Sequence, residues 1–456
     1  MTIIIVTLLI LGYSLIATGH LTGVNKAAIA MFIGTVGWVL YVCWGTDFVM
    51  RLHPAEYEAF LNGREGDSLT IKEFIHDNIF LYYVGRAASV VIYLLATMSI
   101  VELLQGNGCF DFIRDLVRTR SSRRMLWTIT ALTFLISANL DNLTTATMML
   151  VVVHSIVQSR RQRMLIGSAI VIAANIGGCF TVIGDPIGLI LWGDGAITAS
   201  HFSGLLVLPA LVSWAIPTAL IGRLLPAKLD VEWTAPPYRG DDTKLNTWQR
   251  YLMLIVGIGG LWFIPTFYNI TGLSPFLGAA CVLSVLWVVN EAVNRRRMQA
   301  DQMTARRMPE ALQYGSLQQM LFVMGILMAM GVMRETGVLG TIAEWLTTTF
   351  GSVWLLGAGA AVLSAIVDTF TVAITNISFY QVEPSGDFAL NGIYWSLMAY
   401  CTTTGGCLLA VGSTSGLALM KTEHIRLGWY LKTITPLVAV GLLSGMAILW
   451  AETQLL

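Results

Sequence analysis

Apolar runs about as long as a bilayer is thick recur from one end of this 456-residue chain to the other. Ile3–Gly19, Ala27–Trp44 and a segment at about Phe80–Leu104 are the first three. Only 12% of the residues are charged and the mean hydropathy is +0.70, whereas a soluble domain carries about 25% charged residues. The sequence therefore predicts an all-α polytopic membrane protein whose surroundings are a lipid bilayer. Met1–Gly19 lacks a basic leader and a small-residue cleavage site, so we interpret it as the first span.

Charge and cysteine content exclude several functional classes. The formal net charge is zero, so no basic surface points to nucleic acid. Six cysteines are scattered through the chain without a Cys-x-x-Cys pair, so we expect no metal centre, redox site or cofactor.

The later apolar segments differ in length and in flanking charge. Two short amphipathic pieces, Phe110–Val117 and about Ile342–Leu346, are expected to lie as helices in the interface. The remaining apolar segments are Met125–Val157, Met164–Ile197, Leu205–Leu224, Tyr251–Tyr268, Phe276–Val293, a short Leu321–Met333, Val353–Tyr380, Asn391–Met420 and Leu431–Ala451.

Two polar stretches inside this apolar sequence are copies of one pattern. Ser364 follows Ser137 by 227 residues, and Gly405 follows Gly177 by 228. Buried polar groups of this kind are expensive in a membrane, which favours a binding role for both copies. The first copy reads Ser137-Ala138-Asn139-Leu140-Asp141-Asn142-Leu143-Thr144-Thr145, then Asn175-Ile176-Gly177-Gly178-Cys179 and Gly184-Asp185-Pro186. The second reads Ser364-Ala365-Ile366-Val367-Asp368-Thr369-Phe370-Thr371, then Thr403-Thr404-Gly405-Gly406-Cys407 and Gly412-Ser413-Thr414.

The first copy predicts a re-entrant hairpin followed by a broken helix. Arginines flank Met125–Val157 on both sides, so both of its ends are expected in the cytoplasm. Its 33 residues are too few for two spans of about 20 each, and Ser137–Asn142 forms a polar tip at its middle. Met164–Ile197 is interrupted by Gly177-Gly178 and by Gly184-Asp185-Pro186, which predicts a break in that span.

Opposite flanking charges predict that the second copy is inverted. Val353–Tyr380 lies among acidic residues, an external signature, and the loop before it is the most basic of the chain. The chain contains two copies of a unit of five spans plus one hairpin, and an odd number of spans forces the two copies into opposite orientations. Inverted repeats are the layout of many secondary transporters, so we predict a transporter rather than an enzyme. The acidic residues are Glu335, Glu344, Glu383 and Asp387, and the basic loop contains Arg295, Arg296, Arg297, Arg306 and Arg307.

These features predict the organisation of the whole chain. Residues 1–226 form the first repeat, with a cytoplasm-opening hairpin at about 125–157. Residues 227–248 form a cytoplasmic linker, and residues 249–456 form the second repeat, with an outward-opening hairpin at about 353–380. We expect a multi-pass protein of a bacterial inner membrane with both termini outside the cytoplasm.

Hydroxyl, amide and carbonyl oxygens at the tips suit a small hard cation such as Na⁺. Packing of helices through small residues is the alternative reading. A buried carboxylate that holds either Na⁺ or H⁺ would exchange them directly. The acidic candidates are Asp141, Asp368, Asp185 and Glu102. The other candidates are Ser137, Asn139, Asn142, Thr144, Thr145, Asn175, Gly177, Ser364, Thr369, Thr371, Thr404, Gly405 and Ser413, with Na⁺ expected at Asp141, Asn142, Ser137, Asp368 and Ser364.

At these motifs the chain resembles the NhaD-type sodium/proton antiporters of the ion transporter superfamily. The resemblance implies ten spans plus two hairpins, a homodimer, and exchange of Na⁺ or Li⁺ for H⁺. Val101-Glu102-Leu103 is similar as well, whereas Thr369-Phe370-Thr371 departs from the expected Asn-x-Pro after Asp368. The resemblance also suggests an elevator-type movement of the hairpins and broken spans.

Three alternatives remain open at this point. A sodium-coupled organic-anion symporter of the same superfamily would share the layout, but aspartates at both tips would repel its substrate. An arsenite exporter of related fold is a second alternative. The third is an intramembrane aspartyl protease, in which two carboxylates share a proton. Arg86 within the third span needs a partner that the sequence does not identify, and His154 is interpreted as a packed or interfacial residue.

Overall fold

The computed structural model describes residues 2–63, 65–232, 245–298 and 314–455. Arg306, Arg307 and the centre of the predicted linker, 233–244, lie outside these ranges. Among the described residues, nine helices are long and apolar enough to cross a membrane, or up to ten if one bent pair is taken as a single span. The protein is therefore an all-α polytopic membrane protein.

The described residues of the first half form twelve α-helices. The predicted polar stretch Asp47–Asp77 is largely helical, and a π-helical turn at Ile75–Phe80 leads into the third span. The helices are α1 (Thr2–Thr22), α2 (Lys26–Cys43), α3 (Gly45–Leu52), α4 (Pro54–Leu61), α5 (Ser68–Phe74), α6 (Leu81–Gly106), α7 (Phe112–Leu116), α8 (Ser122–Ser137), α9 (Asn142–Ile156), α10 (Arg160–Cys179), α11 (Pro186–Gly193) and α12 (Ala199–Leu224).

In the described part of the second half, the order of long helices, hairpin and broken span is the same, with one short helix added before the last span. The segment predicted as a short span at Leu321–Met333 is a full-length helix, because polar residues at its start continue the helix beyond the apolar run. The helices are α13 (Thr247–Thr271), α14 (Pro275–Met298), α15 (Tyr314–Glu335), α16 (Val338–Phe350), α17 (Val353–Ile366), α18 (Thr369–Phe379), α19 (Ile393–Gly405), α20 (Thr414–Glu423), α21 (Leu427–Thr433) and α22 (Thr435–Leu455).

Helices α8 and α9 form the first hairpin, and both of its ends meet one short segment. Ser121 pairs with Lys228, and Val157 pairs with Val231, through isolated β-bridges. The hairpin therefore enters and leaves at the same end of the molecule, which we call the linker end.

Helices α17 and α18 form the second hairpin, which opens at the opposite end. Tyr380, directly after α18, contacts Thr347 of α16 through its hydroxyl group. Nearby, the backbone N–H of Asn391 donates to the carbonyl of Ala196, which follows α11. Because α10 and α11 lead from the linker end to this end, the two hairpins have opposite orientations.

Each broken span consists of two helices separated by an irregular segment. Helix α10 continues through Gly177 and Gly178 to Cys179, and the break falls at residues 180–185. Helix α19 ends at Gly405, and α20 begins at Thr414. Gly177 and Gly178 were predicted to interrupt their span, but they lie within the last turn of α10, where the first hairpin packs against them, whereas Gly405 and Gly406 lie at the end of α19. The amphipathic α7 is only one turn and a half long, with Ile113 buried and Leu116 exposed.

Candidate functional site

Each hairpin tip ends in an aspartate that caps the helix after it. Asp141 Oδ2 accepts hydrogen bonds from the backbone N–H of Thr144 at 3.0 Å and from its hydroxyl at 3.1 Å. Asp368 Oδ2 accepts the backbone N–H of Thr371 at 3.3 Å, with the Thr371 hydroxyl at 3.5 Å. A carboxylate at a helix N-terminus is stabilised by unpaired N–H groups and by the helix dipole. In both tips, one carboxylate oxygen is held by the helix and the other faces a neighbouring element.

Glycines allow each broken span to approach the tip of its own hairpin. A Cβ at Gly177 would lie 2.4 Å from the carbonyl oxygen of Phe134, and one at Gly405 would lie 2.4 Å from that of Ala361. The next glycines face the residues after the aspartates: a Cβ at Gly178 would lie 2.0 Å from Asn142 Oδ1. These contacts require glycine for steric reasons alone.

The two tip serines make equivalent hydrogen bonds. Ser137 Oγ donates to the carbonyl of Ala174 at 2.6 Å, and Ser364 Oγ donates to that of Thr402 at 2.6 Å. Ser137 Oγ also lies 3.0 Å from Asn142 Oδ1. Because these hydroxyl groups already bind backbone carbonyls in both copies, their position is fixed by the hairpin's packing on the broken span.

The first tip brings together two carboxylates and two amides. Asn142 Nδ2 donates to Asp185 Oδ2 at 2.8 Å, and Asp185 Oδ1 accepts the backbone N–H of Ile187 at 2.9 Å. Gln319 of α15 donates from Nε2 to Asp141 Oδ1 at 3.0 Å. Asp141 and Asp185 are only 8% and 6% exposed. Thr145 Oγ1 and Gln319 Oε1 are buried without a hydrogen-bond partner, so oxygen atoms remain available for a hard cation.

The second tip differs from the first in its polar groups. Thr369 stands at the position of Asn142, and its hydroxyl donates to the carbonyl of Gly412 at 3.0 Å. Ser413 stands at the position of Asp185 and caps α20 by accepting the backbone N–H of Gly416 at 3.1 Å. Asp368, 2% exposed, forms an ion pair with Lys26 at the start of α2. This tip therefore holds one carboxylate and one ammonium group.

Asn175 connects the two halves. Its Nδ2 donates to Ser413 Oγ at 3.1 Å, and its Oδ1 accepts from Ser415 Oγ at 3.0 Å. The two tips thus face one polar centre, as expected for an inverted repeat.

Not every predicted site residue is seen to join this centre. Asn139 donates to the carbonyl of Leu135 in its own hairpin. Thr404 is fully buried in α19, and its predicted role stays a prediction. Glu102 is half-buried near the end of α6, and its predicted role stays a prediction.

Two residues in contact with the tip aspartates were missed in the sequence. Gln319 lies in a polar run before an apolar segment, and Lys26 directly precedes one. In the sequence, both residues have the usual place of polar residues at the end of a span. Only the packing of the spans brings them to the tips.

Ionic contacts lie at both ends of the molecule. Arg86 of α6 finds its partner in Asp194, the residue that follows α11, at the end opposite the linker. At the linker end, buried Glu423 binds His154 at 2.8 Å and Arg163 at 2.9 Å, which ties α9 and α10 to α20. His154 therefore connects the first hairpin to α20 through the carboxylate of Glu423.

Two inverted hairpins and two broken spans that meet at buried polar tips define a multi-pass secondary transporter. The family described as "Citrate transporter" (CitMHS) matches residues 1–405. The chain belongs to this family.

Individual relatives agree with the resemblance seen in the tip motifs. Sodium/proton antiporter 1 of Arabidopsis thaliana is 31% identical over 363 residues, which is 80% of this chain and 62% of the relative. Sodium/proton antiporter 2 of the same plant is 30% identical over 367 residues, 79% of this chain and 84% of the relative. The Na⁺/H⁺ antiporter NhaD of Alkalimonas amylolytica is 28% identical over 401 residues, 81% of this chain and 78% of the relative. The predicted resemblance to NhaD-type antiporters is confirmed.

Proposed function

We propose that this protein exchanges Na⁺ or Li⁺ for H⁺ across the plasma membrane by alternating access. The observation that carries the proposal is the geometry of the first tip. There the buried carboxylates of Asp141 and Asp185 lie beside side-chain amide and hydroxyl groups, whose oxygens can also bind a cation. A carboxylate in a low-dielectric centre has to be neutralised, and either a hard cation or a proton does so. Because both use the same oxygen atoms, binding of one excludes the other.

The family description, citrate transport, favours organic-anion symport as the second candidate. Such a substrate would bring several negative charges to a centre that already holds the buried carboxylates of Asp141 and Asp185. The charge of the site therefore supports a cation as cargo, as do the names of the relatives described above.

We also propose how the site moves. The tips touch Gln319 and Lys26, near the starts of α15 and α2. Helix α15 ends at Arg334 and Glu335, beside Arg86 and Asp194 at the end opposite the linker, so its start lies toward the linker end, as does the start of the parallel α2. Flanking arginines assign that end to the cytoplasm. The structure would then be inward-facing, with hairpins and broken spans moving as one body against the remaining helices of a homodimer.

Exchange is tested with the purified protein in proteoliposomes that carry a pH-sensitive dye. Addition of Na⁺ or Li⁺ should cause a pH change, whereas citrate and dicarboxylates should not. Asp141→Asn should abolish the signal, because an amide ligates a cation weakly and releases no proton. The matched control is Asp387→Asn, the same chemical change at an exposed carboxylate, which should leave exchange intact.

The wild-type protein should also bind Na⁺ with lower apparent affinity as the pH falls, because protons compete for the same oxygens. Unchanged exchange in Asp141→Asn, or a pH signal that requires citrate, would contradict the proposal.

A further inference from the structure

Lys26 provides the one side-chain ion pair of a tip aspartate within the described ranges. Its Nζ lies 3.3 Å from Asp368 Oδ1, and the side chains are 19% and 3% exposed. Asp368 uses its other oxygen for the N-terminus of α18. The ammonium group therefore occupies the side of the carboxylate that faces away from its own helix.

The position of Lys26 is set by helices outside the hairpins. Helix α2 packs closely along α15: a Cβ at Gly34 would lie 2.8 Å from the carbonyl oxygen of Gly325, and Trp38 donates to the carbonyl of Met328 at 3.1 Å. The two helices run parallel, so Lys26 and Gln319 lie at similar heights. Each reaches one tip, Gln319 to Asp141 and Lys26 to Asp368.

The two tips consequently differ in charge. At the first tip, Asp141 accepts a hydrogen bond from the neutral amide of Gln319, and a second carboxylate, Asp185, accepts one from the amide of Asn142. At the second tip, Asp368 meets an ammonium, and Ser413 replaces the second carboxylate. A cation entering the first tip meets net negative charge, whereas one entering the second meets a site that is already neutral.

We propose that Lys26 is a tethered cation that fills the second tip in this conformation, so that the transported cation binds only at the first. This inference rests on the proposed function and specifies which tip carries the cargo. An ammonium at hydrogen-bond distance from a buried carboxylate satisfies the same charge that Na⁺ would satisfy. Removal of Lys26 should therefore convert the second tip into a cation site.

The proposal is tested by equilibrium binding of radioactive Na⁺ to the purified full-length protein. Lys26→Met keeps the length of the side chain without its charge and should raise the binding capacity about twofold, because Asp368 then requires another cation. Asp368→Asn added to this variant should restore the wild-type capacity. Lys26→Arg, which keeps the charge, should bind as the wild type does.

Two further variants complete the design. Lys421→Met removes an equal charge from an exposed position of α20 and should bind like the wild type. Asp368→Asn alone should leave the capacity unchanged, since Asp368 does not hold cargo here. Asp368→Asn alone therefore shows whether the second tip binds the transported cation, even if Lys26→Met fails to fold.

Each outcome has one meaning. The inference would be overturned if folded Lys26→Met had the same Na⁺-binding capacity as the wild type, or if Asp368→Asn alone halved that capacity. Neither result would contradict Na⁺/H⁺ exchange. An increase in Lys26→Met that Asp368→Asn does not reverse would also overturn it. If the wild-type protein binds neither Na⁺ nor Li⁺, the proposed function fails and this inference fails with it.

Discussion

At the scale of single residues, each tip aspartate has two distinct oxygens. One is committed to the helix N-terminus, which holds the carboxyl group in a fixed direction. The other meets Gln319 at the first tip and Lys26 at the second. The same residue type in the same local structure therefore acquires a different electrostatic environment from helices far away in sequence.

The tip glycines give a steric prediction. Gly177→Ala and Gly405→Ala should each destabilise the protein by about 1–3 kcal/mol and reduce exchange, because the new Cβ overlaps a backbone carbonyl that cannot turn aside. Gly193→Ala is the matched control, since a Cβ there meets nothing within 4 Å. Thermal unfolding followed by size exclusion measures the difference. Equal stability of the three variants would contradict the close packing of tips and broken spans.

His53 gives a prediction on pH, at the end opposite the linker. Burial lowers the pKa of His53, but its hydrogen bonds to Glu335 and Glu56 and their charges outweigh this, so the pKa is raised from 6.5. Both ring nitrogens lie 2.8 Å from a carboxylate oxygen, an arrangement that favours the protonated ring. The stabilisation should be complete below the unfolded-state pKa and should be lost as the pH rises through the raised value.

Thermal unfolding across this pH range tests the assignment. The difference in stability between the wild type and His53→Gln should be largest at acidic pH and should shrink toward alkaline pH. A difference that does not change with pH would show that His53 contributes through packing alone.

At the scale of elements, ionic contacts divide into two kinds. Arg86–Asp194 joins α6 to the end of α11, which belong to different bodies in the proposed movement. Glu423 with His154 and Arg163 joins elements of the same body. In the proposed movement, the Arg86–Asp194 pair has to break, whereas the contacts of Glu423 remain intact.

Cysteines at positions 86 and 194, joined by a bifunctional crosslinker that contains a reducible disulfide, should therefore arrest exchange and leave Na⁺ binding intact, because the crosslinker spans the length of the original ion pair. The matched control is the same crosslinker between cysteines at positions 154 and 423, which should leave exchange unchanged. Both pairs are introduced after replacement of the exposed Cys43 and Cys281. Reducing agent should restore activity to the first pair. Full exchange in a completely crosslinked 86–194 sample would contradict the movement of one body against the other.

At the scale of the whole molecule, the described ends of the hairpins predict sidedness. Arg161 and Ser385 are exposed at opposite ends. Single cysteines at these positions should react with a membrane-impermeant reagent from opposite sides, Arg161→Cys from the cytoplasm and Ser385→Cys from outside. Reaction of both from one side would contradict the inverted arrangement, and reaction from the two sides in reverse would contradict only the assignment of the cytoplasm.

The architecture could be predicted from the sequence alone because it follows from features of short segments of the chain. Apolar length sets the spans, and the repeat of Ser137 and Asp141 at Ser364 and Asp368 marks the two tips, since a buried polar group is tolerated only in a special structure. Asp185 could be placed in a helix break because Pro186 follows it. The tertiary structure decided what each tip aspartate faces. Lys26, Gln319 and the Arg86–Asp194 pair come together only through the packing of spans separated by at least a hundred residues, and such contacts leave no periodic or compositional signal in the chain.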